Sequence, residues 1–295
     1  MTTRCGFIAV VGAPNAGKST LVNHLVGARI AIVTPKVQTT RHRILGMMVH
    51  EQSQLIFIDT PGVFNASARF EKAMVKSALG STKEADIILL LVDAHKGLCA
   101  NTQRVIDSIS GLETPVILIL NKIDKVSKES LLGLTQSLYA QRQFDECFMI
   151  SALKGQGTED LTSWLAGALP EDVWHYPEEQ MTDLPMRQLA AEITRESLFF
   201  RLKQELPYSI AVDTESWEDT SHNAVKIQQV IYVQNESQKK IVVGHKGEML
   251  REIGKAARGR IGRFLQRKVH LFLFVKISPK WKDNKEFYSA IGLEY

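Results

Sequence analysis

The stretch GAPNAGKST, from Gly12 to Thr20, decides the fold of the first half of this 295-residue chain. It fits the pattern G-x-x-x-x-G-K-[ST], follows the apolar run FIAVV at 7–11 and precedes an amphipathic segment. In such a strand–loop–helix setting, successive backbone N–H groups turn inward around phosphate oxygens, and the helix directs its positive end at the same charge. The stretch therefore predicts a phosphate-binding loop between a buried strand and a helix.

The residues of this loop have different predicted roles. Lys18 is expected to reach the β- and γ-phosphates of a nucleotide, and the Ser19 hydroxyl is expected to ligate Mg²⁺. The full set predicted to line the phosphates is Asn15, Ala16, Gly17, Lys18, Ser19 and Thr20.

Apolar runs and amphipathic segments alternate through the first half of the chain. Predicted strands lie at 7–11, 54–59, 86–92, 115–120 and 147–151, and predicted helices at 18–27, 101–110, 130–142 and 159–169. Continuous rather than alternating apolar runs are typical of strands covered on both faces. The pattern predicts an α/β domain with a mostly parallel, doubly wound sheet, whose ligands bind at the carboxyl ends of the strands.

Three further signals stand at the ends of predicted strands. DTPG at 59–62 places Asp59 to hold Mg²⁺ through water and Gly62 to offer its N–H to a γ-phosphate. NKID at 121–124 places Asp124 to accept hydrogen bonds from N1–H and the exocyclic amine of guanine, which adenine cannot match. SAL at 151–153 can meet the guanine oxygen with a backbone N–H. The other predicted nucleotide contacts are Asn121, Lys122, Ser151, Ala152 and Leu153.

Composition limits the class of protein. A hydrophobic content of 44% and a charged content of 23% are typical of soluble globular proteins. The three cysteines are far apart and form no C-x-x-C pair, so neither a disulfide framework nor a zinc site is expected. No export signal is expected, and the longest apolar run, at 87–92, is too short to cross a bilayer. A cytoplasmic protein is expected, and peripheral contact with the inner membrane is left open.

Positive charge is concentrated near the end of the chain. Residues 239–285 hold 14 Lys+Arg against 3 Asp+Glu, a balance of +11. Residues 174–238 hold 5 against 11, a balance of −6. The basic block contains GHKG at 244–247 and suggests a polyanion as partner.

The second half is predicted to form a separate, smaller α+β domain. Its predicted elements are helix, strand, strand, helix, helix and strand, with GHKG at the turn between the two adjacent helices. Such a turn lets phosphates approach the main chain, and the next helix presents its N–H groups. The predicted RNA contacts are Gly244, His245, Lys246, Gly247, Arg251, Lys255 and Arg258, although His245 is either an RNA contact or a solvent-facing turn residue.

Two boundaries follow from these patterns. Residues 1–172 form the first predicted domain, 173–186 a linker rich in proline and carboxylates, and 187–295 the second domain. Near the end of the chain Trp281 is either a base-stacking residue or a core-edge tryptophan, and the basic side chains around it are Lys276, Lys280 and Lys282.

The motifs together resemble those of a known family. GAPNAGKS, DTPG, NKID and SAL resemble the G1, G3, G4 and G5 motifs of translation-factor-related GTPases. TPKVQTTRHRI at 34–44 resembles switch I of the Era-like bacterial GTPases, and IVVGHKGEMLREIG at 241–254 resembles their C-terminal type II KH domain. The resemblance covers essentially the whole chain, and it implies a P-loop GTPase domain followed by an RNA-binding KH domain.

The resemblance also implies roles for residues beside the phosphates. Thr40, in preference to Thr39, would join Ser19 and the water-bridged Asp59 in holding Mg²⁺. Val63 stands where Ras-like enzymes place the glutamine that orients water, so the catalytic residue is unknown and slow hydrolysis is expected. Asn15 would help to hold K⁺, or it is a loop asparagine that tolerates a tight turn. Thr40 and Asn15 are thus the candidate contributors to catalysis.

The implied function is that of a monomeric switch that binds GTP or GDP with Mg²⁺ and hydrolyses GTP slowly. It would bind 16S ribosomal RNA near the 3′ end and act in assembly of the 30S ribosomal subunit. Two alternatives stay open. One is a GTPase of a tRNA-modification assembly that uses the basic domain for docking. The other is a membrane-surface signalling GTPase that places its basic block on anionic lipid.

Overall fold

The computed structural model describes residues 2–36, 39–41, 43–64, 69–203, 206–220, 223–279 and 281. These residues form two compact units. The first unit takes the described residues up to Ala31 and from 39 to Asp183. The second takes Ile32–Lys36 and the described residues from Leu184 onward.

The first unit is built on a sheet with the strand order β2-β3-β1-β4-β5-β6. All of its pairings are parallel except that between β2 and β3, so the predicted mostly parallel, doubly wound sheet is confirmed. The strands are β1 (Arg4–Gly12), β2 (Ile44–His50), β3 (Ser53–Asp59), β4 (Ile87–Asp93), β5 (Val116–Asn121) and β6 (Glu146–Ile150).

Helices cover both faces of this sheet. Along β4, Leu89 and Leu91 point into one core, and Leu90 and Val92 point into the other, which explains the continuous apolar runs. Helices α1 (Lys18–Val26) and α5 (Thr158–Ala168) pack on the first face. The second face is covered by α2 (Arg69–Gly80), α3 (Ala100–Ile109) and α4 (Lys128–Tyr139).

Strand β2 was not predicted from the sequence. His50 pairs with Ser53, so Glu51 and Gln52 form the turn of an antiparallel hairpin, and Glu51 has φ 54°. The usual hairpin signal is Asn-Gly or Asp-Gly at such a turn. Neither is present, so nothing in the local sequence indicates a reversal of the chain.

The segment predicted as a linker packs against the first unit over most of its length. Gln54 donates through Nε2 to the Tyr176 carbonyl and accepts from the His175 and Tyr176 N–H groups through Oε1. Further on, the Met47 N–H donates to the Met181 carbonyl at 2.9 Å. The contact-based boundary therefore falls after Asp183, within the segment predicted as the linker.

The second unit has the predicted order of elements. It contains α6 (Met186–Arg201), β7 (Ala211–Thr220), β8 (Ala224–Val233), α7 (Glu236–Val243), α8 (Glu248–Leu265) and β9 (Lys268–Ile277). Its sheet has the order β7-β8-β9, with β7 and β8 antiparallel and β8 and β9 parallel. Apolar residues of α6 and α8 cover one face of this sheet, including Ile193, Ala257 and Ile261 against Val225 and Ile227.

A short segment from the first half of the chain, Ile32–Lys36, belongs to the second unit. The Val33 N–H donates to the Glu196 carboxylate of α6 at 2.9 Å. The Lys36 ammonium donates to the Leu202 carbonyl, just after α6. This segment is therefore held to α6 through both its main chain and a side chain.

Candidate functional site

The predicted phosphate loop lies between β1 and α1. Gly17 has φ 106°, a backbone conformation that favours glycine, and a Cβ at this position would lie 2.3 Å from the Asn121 amide nitrogen. Gly17 is also the N-cap of α1 and offers no side-chain acceptor. The first N–H groups of α1 are therefore available to an anion, as a phosphate-binding loop requires.

Lys18 lies folded back onto the loop. Its ammonium donates to the carbonyls of Gly12 at 3.1 Å and Ala13 at 3.2 Å, and the residue is 6% exposed. Burial lowers the pKa of Lys18 to about 8, against the opposing effect of Asp59. A phosphate would offer this poorly solvated cation charged acceptors in place of two neutral carbonyls.

Three oxygen-bearing side chains, predicted as metal ligands, meet beside the loop. Ser19 Oγ lies 2.7 Å from Asp59 Oδ2 and 2.9 Å from Thr40 Oγ1, and Thr40 Oγ1 lies 3.4 Å from the same carboxylate oxygen. They come from α1, the segment before β2, and the end of β3. Thr40, rather than Thr39, is the threonine placed at this cluster.

The cluster fits a hard divalent cation. The Asp59 side chain is buried, and its Oδ1 has no hydrogen-bond partner among the described residues. Burial raises the pKa of Asp59 to about 6, although Ser19, Lys18 and Thr40 act in the opposite direction. Mg²⁺ prefers carboxylate, hydroxyl and water oxygens, so a hydrated ion would supply the partner that Asp59 lacks.

Gly62 and Val63 follow β3 at the same edge. A Cβ on Gly62 would lie 3.1 Å from the main chain of Pro14, so glycine allows the two loops to approach. Val63 is 5% exposed and packs in the core between the sheet and α2, α3 and α4. Its side chain is directed into that core and has no group that can orient a water molecule.

The predicted guanine site combines the ends of β5 and β6. Ser151 Oγ donates to Asp124 Oδ1 at 2.7 Å, and Lys154 lies 3.9 Å from the other carboxylate oxygen. The Ser151 hydrogen bond lowers the pKa of Asp124, and Lys154 acts in the same direction. The carboxylate is therefore ionised at neutral pH and ready to accept the two donors of guanine.

Asn121 connects this site to the phosphate loop. Its amide nitrogen donates to the Ala16 carbonyl at 2.8 Å, and its Oδ1 accepts from the N–H groups of Lys122 and Ala152. Leu153 is 77% exposed, so its side chain is not packed in the core.

Asp124→Asn is expected to weaken GTP binding by about 10- to 100-fold, because charge-assisted hydrogen bonds to the base are lost. The same variant should gain xanthosine triphosphate, whose C2 carbonyl suits an amide donor. A nucleotide competition assay measures both effects, with the exposed Asp107→Asn on α3 as control. An unchanged preference for guanine in Asp124→Asn would remove Asp124 from the base site.

Asp93 is a buried carboxylate beside the guanine loop that was not predicted from the sequence. It is the last residue of β4 and is 6% exposed, and it accepts from the Lys122 ammonium at 2.6 Å. The available signal was a carboxylate that ends an apolar strand, the same signal by which Asp59 was found.

The two glycines of GHKG have different surroundings. Gly244 has φ 74°, and a Cβ there would lie 2.6 Å from Met249 Cβ and 2.9 Å from the Met249 nitrogen. Gly247 has φ 81°, and a Cβ there would meet no atom within 4 Å. Gly244 is therefore required by packing within the turn, whereas the open side of Gly247 is accessible to a ligand.

The side chains predicted to bind RNA are exposed. His245 and Lys246 are exposed in the turn, and Arg251, Lys255 and Arg258 are exposed on α8 at spacings of four and three residues. Among the residues that the structure describes, none of these five forms an ion pair.

Other cations of the basic block are already paired within the unit. Arg260 pairs with Glu196 at 2.7 Å, Arg267 with Asp219 at 2.7 Å, and Lys276 with Glu215 at 2.6 Å. These carboxylates belong to the acidic stretch 174–238, which therefore neutralises part of the basic block.

Trp281 proves to be a core-edge residue. It is 4% exposed, and its indole N–H donates to the Ser209 carbonyl at 3.0 Å. A base cannot stack on a ring that is already covered, so the base-stacking alternative is wrong. Lys280 and Lys282 lie outside the described residues.

No helix in the described part of the chain is long and apolar enough to cross a membrane. Within the same residues, no group of three or more His, Cys, Asp or Glu side chains is arranged to hold a metal ion.

Comparison with known proteins gives two family matches and full-length relatives. Residues 7–122 match the family described as 50S ribosome-binding GTPase, and residues 205–282 match the KH domain. GTPase Era of Mesorhizobium japonicum is 53% identical over 99% of this chain and 94% of its own length. GTPase Era of Agrobacterium fabrum is 50% identical over 100% of this chain and 93% of its own length.

Solved structures show the same architecture. An Era crystal structure in complex with MgGDPNP and nucleotides 1506–1542 of 16S ribosomal RNA matches with a TM-score of 0.93 and 38% identity, covering 98% of this chain and 99% of that chain. A variant of Aquifex aeolicus Era bound to GDP.AlF4- matches with the same score, identity and coverage.

Proposed function

This chain belongs to the Era family of GTPases, and from that premise we propose that it binds 16S ribosomal RNA near its 3′ end and acts in 30S subunit assembly. The observation that supports this most is the presence of two anion sites in one chain. One is the loop from Gly12 to Thr20 with the oxygen cluster of Ser19, Thr40 and Asp59, and the other is the GHKG turn, beside cations that form no ion pair among the described residues.

The first unit supplies the residues that are proposed to bind the nucleotide. Lys18 and the first N–H groups of α1 bind the phosphates, and Asp124 selects guanine. Ser19, Thr40 and Asp59 would hold Mg²⁺, which neutralises charge on the β- and γ-phosphates when it is bound. Since Gly62 lies beside Pro14 of the phosphate loop, its N–H is expected to donate to a γ-phosphate.

Hydrolysis is expected to be slow. The buried Val63 cannot orient the attacking water, so this chain lacks the group that Ras-like enzymes use. The role of Asn15 in holding K⁺ stays a prediction from the resemblance. Asn15 has φ 63°, a conformation that asparagine tolerates better than most residues.

The second unit supplies the residues that are proposed to bind RNA. The open side of Gly247 lets an RNA phosphate reach the main chain, and the N-terminus of α8 adds its N–H groups. Arg251, Lys255 and Arg258 continue the cationic surface along α8. The names and structures of the relatives support this function over a tRNA-modification or membrane-signalling role. Cytoplasmic location, a monomeric state and peripheral contact with the inner membrane stay proposals.

The segment before Thr40 is the part of the chain through which we expect the bound nucleotide to affect RNA affinity. Ile32–Lys36 belongs to the second unit, and Thr40, four residues after Lys36, lies 2.9 Å from Ser19 Oγ. Glu196, which accepts from the Val33 N–H, also accepts from Arg260 of α8. Ordering of Thr40 by Mg²⁺ and the γ-phosphate therefore acts on a segment that shares a carboxylate with the RNA-binding helix.

RNA is expected to bind more tightly with a non-hydrolysable GTP analogue than with GDP. The coupling should be about 1–3 kcal/mol, or roughly 5- to 150-fold, and RNA should tighten the analogue by the same factor. Fluorescence anisotropy of a labelled RNA carrying the 3′-terminal 16S sequence, at one fixed salt concentration, measures the difference.

Glu196→Gln provides the matched variant, because it keeps the shape of the side chain and removes its charge. Both nucleotide states should still bind RNA, with a smaller difference between them. Equal RNA affinities of the unmodified chain in the two states would refute the switch while leaving both binding sites in place.

A further inference from the structure

A single ammonium group joins the phosphate loop to the guanine-binding loop. Lys122 Nζ donates to the Asn15 carbonyl at 2.6 Å and to Asp93 Oδ2 at 2.6 Å. Asn15 and Lys122 both have positive φ, 63° and 67°, although neither is glycine. Asparagine tolerates such a conformation better than most residues, but for lysine it is costly and persists only where the surroundings enforce it.

The sheet order explains why Asp93 is the residue at this place. β4 lies between β1, which leads into the phosphate loop, and β5, which leads into the guanine loop. Asp93 is paired in register with Asn121, and the Ala94 N–H donates to the Asn121 carbonyl at 2.9 Å. The last residue of β4 thus lies beside the guanine loop, on the strand between β1 and β5.

The Asp93 carboxylate is fixed from several directions. Its Oδ1 accepts from the His95 N–H at 3.1 Å, and its main-chain carbonyl accepts from the N–H groups of Lys96 and Gly97. Its side chain is 7% exposed, whereas that of Lys122 is 26% exposed. The carboxylate is therefore the more buried member of the pair and has a second hydrogen bond, and the lysine is the more exposed one.

A lysine side chain has a flexible four-carbon stem and can turn its ammonium toward water. Without Asp93, the neutral Asn15 carbonyl would be the remaining acceptor of the Lys122 ammonium among the described residues. We propose that Asp93 is a positioning residue for nucleotide binding, which holds Lys122 across the two loops and thereby slows the release of guanine nucleotides. This inference rests on the proposed GTPase function. It adds to the nucleotide site a residue, Asp93, that lies outside the four nucleotide-binding motifs.

The test uses the full chain and GDP carrying a fluorescent methylanthraniloyl group, chased with excess GDP. Asp93→Asn keeps the shape of the side chain and removes the charge. It should raise the dissociation rate by about 10- to 100-fold, the effect of one charge-assisted hydrogen bond. Asp145→Asn is the matched control, because Asp145 accepts from the Val116 N–H at 2.8 Å at the opposite edge of the same sheet. It should leave the dissociation rate unchanged.

A double-mutant cycle with Lys122→Met separates positioning from general stability. If Asp93 acts through Lys122, the two substitutions together should raise the dissociation rate little more than Lys122→Met alone. The rise in Tm on adding GDP should also shrink in Asp93→Asn. Rates are measured below the unfolding transitions of all variants, so that loss of folded protein cannot imitate faster release.

Additive effects in the cycle would overturn the assignment, as would an Asp93→Asn rate equal to that of the unmodified chain. Equal loss of Tm with and without GDP would also overturn it, because it would show a purely structural role. Failure of the unmodified chain to bind the labelled GDP would instead contradict the proposed GTPase function itself.

Discussion

Lys18→Ala is expected to abolish GTP binding while the chain remains folded. The ammonium is expected to serve two phosphates, and charge-assisted hydrogen bonds contribute about 1.5–3 kcal/mol each. Their loss corresponds to a roughly 10²- to 10⁴-fold weaker affinity. The fold should survive because the internal partners of Lys18 are two main-chain carbonyls and because burial of its charge lowers its pKa, which indicates an environment unfavourable to a free cation.

Calorimetric titration with GTP and Mg²⁺ measures the affinity, and thermal unfolding without nucleotide measures the fold. Lys128→Ala is a suitable control, because Lys128 is exposed at the start of α4. Micromolar GTP binding by Lys18→Ala would show that the loop from Gly12 to Thr20 is not the nucleotide site.

Gly247→Asp is expected to remove RNA binding in both nucleotide states. It places a side chain and a negative charge where the main chain meets an RNA phosphate, and like-charge contacts of this kind cost several kcal/mol, or about 100-fold or more in affinity. The variant should fold, because a Cβ at Gly247 meets no atom within 4 Å. Aspartate also tolerates a left-handed conformation better than most residues.

Two further variants show whether the charge at the turn is responsible. Gly247→Ala adds only a methyl group and should weaken RNA binding much less than Gly247→Asp. Gln266→Asp adds the same charge at the other end of α8, where Gln266 is exposed and has φ 52°. In anisotropy measurements at fixed salt, Gln266→Asp should bind RNA nearly as the unmodified chain does. Retained RNA binding by Gly247→Asp would place the RNA elsewhere on the chain.

Several residues of the candidate nucleotide site could be predicted from the sequence. Gly17, Lys18 and Ser19 were predicted from spacing, because a strand–loop–helix turn around phosphate is a local structure whose requirements fall on adjacent residues. Asp59 and Asp124 were predicted because parallel strands bring their carboxyl ends to one edge of the sheet. The roles of these side chains at the bound nucleotide stay predictions, although the structure brings them together.

In the second half of the chain, sequence patterns predict the order of the elements but not which charged side chains are paired. The order of elements from α6 to β9 was predicted correctly, because the periodicity of apolar residues differs between helices and strands. Periodicity does not reveal which lysines and arginines are already paired. Arg260 and Lys276 look as free in sequence as Arg251, yet their partners Glu196 and Glu215 lie about sixty residues earlier.

The sequence by itself thus determined the two-domain division, the phosphate loop and the glycine turn, because each depends on neighbouring residues and on the repeat of apolar positions. Only the tertiary structure decided that residues 173–183 pack on the first unit, that Trp281 is covered, and that Asp93 holds Lys122 against Asn15. Each of these depends on contacts between residues far apart in the chain. Such contacts are set by strand order and by which faces become buried, and a linear pattern of residue types does not specify them.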